Sequence, residues 1–415
     1  MFDGLFGKGW FVIVHRVAPY AVEREEFLRH CQTQGFDRRY LQRVARILLT
    51  AAIDLDAHGG LSAGRARLEA AANRVEAVRG KVGGAANAAC RVEFLRVTRR
   101  WLLFIGHLRT RAPRPRPYAA LLDDFQVWMA DERGLSPGTV RNRRWHVDQF
   151  LRWLQARRLC VTELAPRTLD AYLQQLNAKG LSRVTIKIHT NAIRAFVRHA
   201  ERRGWCGAGV ADALHGPRIY REDGLPLGPS WPDVTRLIQD AASSQGPADV
   251  RDHAILLLLT VYGLRAGEVV ALRLEDLDWE HDRLTVRRPK QRRSQVYPLA
   301  PIVGEAIVRY LREVRPRCGF REVFLKVLGP IGPMTSPAIW SMVATRITRL
   351  GIQAPHRGPH ALRHACAAHL LQQGLSLKEI GDHLGHRSLE STRIYAKVDI
   401  QGLREVADFD LGGLA

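Results

Sequence analysis

A guanidinium at the start of a helix presents a planar, permanently charged fork to a phosphate, and Arg265, just after Gly263, stands in that position. Glu268 follows one helical turn on, where a carboxylate can hold the guanidinium in place, although such a pair reads equally as a surface ion pair. Lys290 lies in Pro289-Lys290-Gln291, between two segments that alternate as strands do, so the spacing predicts a hairpin tip from which an ammonium can reach outward or be merely solvated. His360, Arg363 and His364 fall at i, i+3 and i+4 of a helix opening near Pro359 and share one face. A histidine pair at that spacing suits zinc, but Ala361 stands where a zinc hydrolase carries its glutamate and no convincing third ligand follows, so no metal is expected. For His364 a satisfied place in the core is the competing reading. His386 closes Leu384-Gly385-His386, after a helix that Ser376 and Glu379 open as a capping box. Tyr395 comes nine positions later, in a helix restarted at Ser388, where a lone tyrosine can pack or act as a nucleophile.

All of these belong to the last of three blocks, residues 230–415. Ser230-Trp-Pro-Asp233 caps its first helix, an apolar run over about 250–262 reads as a buried helix, and residues 282–288 with 295–299 read as a β-hairpin. From Ser336-Pro337 onward the pattern is helical again. Residues 207–229, rich in glycine and proline, read as the linker ahead of this block. The middle block, residues 116–215, reads as four helices, the second started by Ser136-Pro137. Arg141, Arg143 and Arg144, with Lys187, Arg194 and Arg198 on the fourth helix, lie between its apolar positions and offer cations to one partner. The first block, residues 1–110, is helical and ends at Arg111-Ala-Pro-Arg-Pro-Arg-Pro117, which no helix interior tolerates. At an offset of 98, Pro19-Tyr20-Ala21 falls on Pro117-Tyr118-Ala119, Phe27 on Phe125 and Leu61 on Leu159. The first block is then a diverged copy of the second, or two amphipathic segments that align by accident. The fold class expected is mainly α with a small antiparallel β-sheet: helical N-terminal domains followed by a mixed α/β domain.

Composition narrows the partner. Lysine and arginine number 63 against 41 acidic residues, a formal charge of +22 spread along the chain, so polyanions are the natural ligands, unless the arginine content reflects genome composition. No stretch approaches the ~18 consecutive apolar residues that crossing a bilayer takes, which favours nucleic acid over a membrane. The six cysteines are scattered without a CxxC pair and read as reduced thiols of a cytoplasmic protein.

In order and spacing, Tyr262-Gly-Leu-Arg-Ala-Gly-Glu-Val-Val-Ala-Leu272, Lys290 with Tyr297-Pro-Leu299, His360-Ala-Leu-Arg-His364, and Leu384-Gly-His386 followed by Tyr395 resemble the tyrosine recombinase, or phage integrase, family. The resemblance covers the third block, touches the second by pattern only and leaves the first unmatched. It implies a catalytic domain of the tyrosine recombinase type. Arg265 and Arg363 become the pair that clamps a DNA phosphate, His360 the base, Lys290 the acid, His386 a third donor and Tyr395 the nucleophile of a 3′-phosphotyrosine intermediate. Glu268 and His364 become supports for that set. Lys290 is the least secure match, because the family often has Gly-Lys-Gly there. No cofactor, metal or ATP is implied. Double-stranded DNA is the implied partner, bound by a homotetramer that is a monomer or dimer when free, in the cytoplasm and at the nucleoid, with accessory recombination proteins admitted. The tail, residues 396–415, would dock its apolar face on a neighbouring subunit or on its own domain. A mobile element is the expected setting. The competing readings are a type IB topoisomerase-like enzyme and a DNA-binding accessory protein that has kept the fold.

Overall fold

The computed structural model describes residues 1–7, 9–79, 86–109, 116–219, 228–288, 293–386, 392 and 394–395. It divides into two compact units, residues 112–223 and residues 1–111 with 224–415. The described chain is mainly helical with a small antiparallel sheet.

The first block opens with α1 (Phe2–Phe6), α2 (Trp10–Val17), α3 (Ala21–Thr33) and α4 (Arg38–Ala57). Asp37 starts α4 by accepting from the Tyr40 N–H, and Leu41, Val44, Leu48, Ala51 and Leu55 then recur at helical spacing, buried along one side. α5 (Arg65–Arg79) and α6 (Ala86–Phe104) complete the bundle, and a short parallel pairing of β1 (Ala63–Gly64) with β2 (Leu108–Arg109) closes it. Buried Arg24 braces the α2–α3 corner by donating to the carbonyls of His15, Ala18 and Pro19. The same block touches the C-terminal part of its unit, where the Ile331 N–H donates to Gln34 O at 3.0 Å.

The second unit holds α7 (Ala119–Val127), a π-helical turn (Trp128–Glu132), α8 (Pro137–Ala156), α9 (Pro166–Ala178), α10 (Arg183–Arg202) and the short α11 (Val210–Ala213). Ser136 caps α8, with Pro137 in the first turn as its sequence predicts. Part of the glycine-rich stretch predicted as linker is instead packed structure, since Val210 and Leu214 are buried against this core.

The remainder begins with α12 (Trp231–Ala242), capped by Ser230, and α13 (Pro247–Val261), which is buried nearly all round by its run from Ala254 to Leu259. After α14 (Ala266–Ala271) the chain forms an antiparallel meander, β3 (Leu277–Asp278), β4 (Arg283–Arg288) and β5 (Arg293–Pro298), with Leu284 opposite both Leu277 and Tyr297. The two-residue β3 has no alternation to betray it, so the sequence pattern shows only the β4–β5 hairpin. α15 (Pro301–Glu313), α16 (Ser336–Arg349), α17 (Pro359–Gln372) and α18 (Leu377–Leu384) pack around α13 and the sheet.

Candidate active site

Gly263 leaves α13 in the left-handed region at φ +57°, and a Cβ there would lie 2.4 Å from Leu384 Cδ2, so α18 packs directly on this turn. Arg265 then caps α14. Its N–H donates to Glu268 Oε2 at 2.9 Å and its guanidinium to Oε1 at 2.8 Å, so one buried carboxylate both starts the helix and fixes the arginine head.

Arg363, on α17, is 2% exposed. It donates to Gly263 O and, at 2.7 Å, to Leu384 O, tying the end of α13 to the end of α18. Burial, and then the nearby Arg265 charge, pull its pKa down to about 10, which still leaves it cationic at neutral pH. His360 lies one turn before it, beside a pocket of about 910 Å³ lined by Arg265, His360 and Arg363 together with Trp340, His356 and Arg357. Burial in the pocket wall, then Arg363 and Arg265, lower the His360 pKa. Trp340, His356 and Arg357 escape sequence reasoning. Their only signal is position, on α16 and on the turn that leads into α17.

Tyr395 is packed against the same helices, 2% exposed among Cys366, Ala367, Ile380 and Leu384. Its Oη stands 2.9 Å from His364 Nδ1, and the His364 and His360 ring centroids are 6.0 Å apart. His364, predicted only as a support, is therefore the imidazole in contact with the phenol. Burial raises the Tyr395 pKa to about 12, against the opposing pull of Arg363 and Arg265. Burial first, then its cationic and histidine neighbours, lower His364 to about 4. His386 follows Gly385, with Nδ1 2.7 Å from Thr392 Oγ1, and burial and Arg363 hold its pKa at about 4. Lys290 and the tail 396–415 lie outside the described residues.

Arg288, at the end of β4, is a further member that the sequence pattern hides among five basic residues. It is buried and donates to Leu384 O at 2.6 Å, to Gly385 O at 2.8 Å and to Tyr297 Oη at 2.6 Å. Tyr297 in turn donates to His383 O, so the sheet is bolted to the last turn of α18 beside His386.

The six cations predicted for the middle block divide. Arg144 donates to Leu122 O and pairs with Asp123, Arg194 donates to Leu214 O, and Arg198 pairs with Asp212. Arg141 is exposed, while Arg143 and Lys187 are half-buried.

Residues 232–401 match the phage integrase family and residues 122–204 match its N-terminal SAM-like domain. A protein named as an integrase/recombinase, y4rA of Sinorhizobium fredii, is 37% identical over 288 residues, which is 68% of this chain and 69% of that protein. The tyrosine recombinase XerC of Mycobacterium leprae is 30% identical over 70% of this chain and 98% of its own length. The chain belongs to the phage integrase family. This tyrosine recombinase carries its whole candidate site within the matched catalytic region, whereas residues 1–121 lie outside both matches. Its fold is shared with a lambda integrase dimer bound to a COC′ core site, at 17% identity and a TM-score of 0.52, over 66% of this chain and 94% of that one. The relatives' names favour a recombinase over a relaxing topoisomerase or an accessory protein.

Proposed function

We propose that the recombinase cuts and rejoins duplex DNA at specific sites through a phosphodiester link between Tyr395 Oη and the 3′ phosphate, releasing a 5′-hydroxyl. The observation that carries this is the convergence of Arg363, Arg265, His360, His364, His386 and Tyr395 on one end of α17 and α18. Attack on phosphorus builds negative charge on the nonbridging oxygens. Arg265 and Arg363 stabilise it, and each such donor in a partly dry site is worth ~3 kcal/mol, or about a hundredfold in rate. With His386 Nδ1 accepting the Thr392 hydroxyl, its Nε2 carries the proton and is a third donor to the phosphate. His360 receives the phenol proton, and Lys290 supplies one to the leaving 5′-oxygen.

In the described state the phenol is parked. A pKa of about 12 makes spontaneous phenolate rarer than in free tyrosine, and neutral His364 holds the hydroxyl in place. Binding of DNA draws Tyr395 out toward Arg265 and Arg363. The phosphotyrosine conserves the energy of the cut bond, so the 5′-hydroxyl of another strand reverses the step and seals a new junction without ATP. Exchange between two duplexes needs four such sites, hence a homotetramer on DNA. A mobile element that integrates or excises is the setting these properties suit.

The test uses a nicked suicide duplex carrying the enzyme's own recombination site, on which the lost 5′ fragment traps the intermediate. The wild-type chain becomes covalently attached to the 3′ end, and Tyr395→Phe does not. An adduct that persists in Tyr395→Phe overturns the assignment.

A further inference from the structure

The helices of the first block follow the plan of the second unit turn by turn. α4 and α8 are both 20 residues long and start one after a side-chain cap, Asp37 and Ser136, preceded by glycines at positive φ, Gly35 (+82°) and Gly134 (+55°). Both helices end with positive φ at the same place, Gly59 and Arg158, and the next N–H closes back on a buried leucine: Gly60 on Leu55 O at 2.8 Å, Leu159 on Leu154 O at 3.0 Å. The fourth helices end alike. Gly106 and Gly204 take positive φ, and the N–H groups of His107 and Trp205 return to Leu102 O and Ala200 O, both at 2.8 Å.

The buried positions coincide as well. Phe27 and Cys31 match Phe125 and Met129 at an offset of 98, while Leu41, Leu48, Ala51, Ala52 and Leu55 match Val140, Val147, Phe150, Leu151 and Leu154 at 99. The offset steps by one at Trp128–Glu132, the π-helical turn, which is how a helix absorbs a single extra residue. Accordingly Phe36 N reaches back five residues to Cys31 O, and its counterpart Leu135 N reaches back six to Met129 O. The extra residue of the second unit thus falls at the π turn, and the offset returns to 98 by the ends of the fourth helices.

We propose that residues 21–107 are a second copy of the SAM-like helical module and that this copy holds the backbone of an additional stretch of duplex DNA. Its site is a groove of about 460 Å³ that carries Arg39 and Arg43 from α4 and Arg96 and Arg100 from α6, over the rings of Phe36 and Tyr40, with residues 328–330 forming its far edge. Glu93 pairs with Arg43 at 3.1 Å and Arg96 at 3.4 Å, and the Asp37 carboxylate is engaged in capping α4. Among the described residues Arg39 and Arg100 form no ion pair. Arg96 and Arg100 are the offset-98 counterparts of Arg194 and Arg198. In the second unit those arginines are committed to Leu214 O and Asp212, whereas Arg100 lies over the Phe36 ring, 5.4 Å from its centroid, at the groove. A groove this size takes the phosphate and sugar of one strand, not base pairs, so it would position DNA without reading its sequence.

The proposal rests on the chain being a DNA recombinase, and its test separates the two. The full chain is compared with Arg39→Glu/Arg96→Glu, both exposed positions, and with Arg39→Lys/Arg96→Lys. Binding to a duplex of random sequence is measured against salt, and adduct formation is followed separately on the nicked core duplex. Each lost phosphate contact lowers the slope of log K against log salt by about 0.9, so the glutamate variant is expected to lose roughly two units of slope and the lysine variant to keep them. The adduct forms in all three chains. An unchanged slope in the folded glutamate variant overturns the groove assignment, and a change confined to self-association in sedimentation overturns it in favour of a protein contact. Absence of adduct in the wild type would fault the recombinase reading alone.

Discussion

Replacing Arg288 by methionine keeps the aliphatic stem and removes every donor from a buried junction. Three charge-assisted hydrogen bonds disappear: to Leu384 O, Gly385 O and Tyr297 Oη. Leu384 O retains Arg363 and Tyr297 retains its bond to His383 O, while the pairing of Arg288 with Glu268 at 3.7 Å is lost with the three bonds. Each hydrogen bond from a charged donor is worth about 1.5 kcal/mol, less what is recovered by no longer burying a guanidinium. The net expectation is about 3 kcal/mol, or roughly 6–12 °C in Tm for a domain of this size. Gly385 precedes His386, so the proposed third phosphate donor should drift with it, and adduct formation on the nicked duplex should fall at least about tenfold, the value of a 1.4 kcal/mol misplacement. Arg288→Lys should recover less than half of either loss, since one ammonium cannot span three acceptors in a fork. A methionine variant that melts within a degree or two of wild type and forms adduct at the wild-type rate would refute this account.

In the second unit, burial and then the neighbouring His146 hold His189 at a pKa of about 4, and burial lowers His146 as well. Both folded values sit below the ~6.5 of the unfolded chain, so unfolding takes up protons, and the stability present above pH ~6.5 is lost as pH falls toward about 4. Tryptophan fluorescence during thermal unfolding should show the transition of this unit moving down across that window, and a flat profile would contradict it. Gly263→Ala combines a left-handed backbone with a Cβ 2.4 Å from Leu384 Cδ2, so calorimetry should register a loss of at least about 1–2 kcal/mol; an unchanged Tm would show that α18 does not rest on this turn.

Much of the fold was legible because period and punctuation agreed. Ser136-Pro137, Ser230 and Ser376 each announce a helix that forms where the cap places it. The candidate catalytic set was legible only as an ordered list of spacings, since no residue in it is unusual by itself. What stayed hidden depends on contacts between distant segments. Arg288 looks like any strand-end arginine until α18 folds across it, and His364 looks like a core histidine until Tyr395 arrives 31 positions later. Trp340 and Arg357 reach the pocket from elements whose sequences carry no chemical signature.

One carbonyl oxygen, that of Leu384, receives both Arg288 from the sheet and Arg363 from α17. It works as a keystone on which the sheet and α17 both close. If either arginine is replaced, the oxygen still accepts from the other, so the end of α18 keeps one of its two moorings.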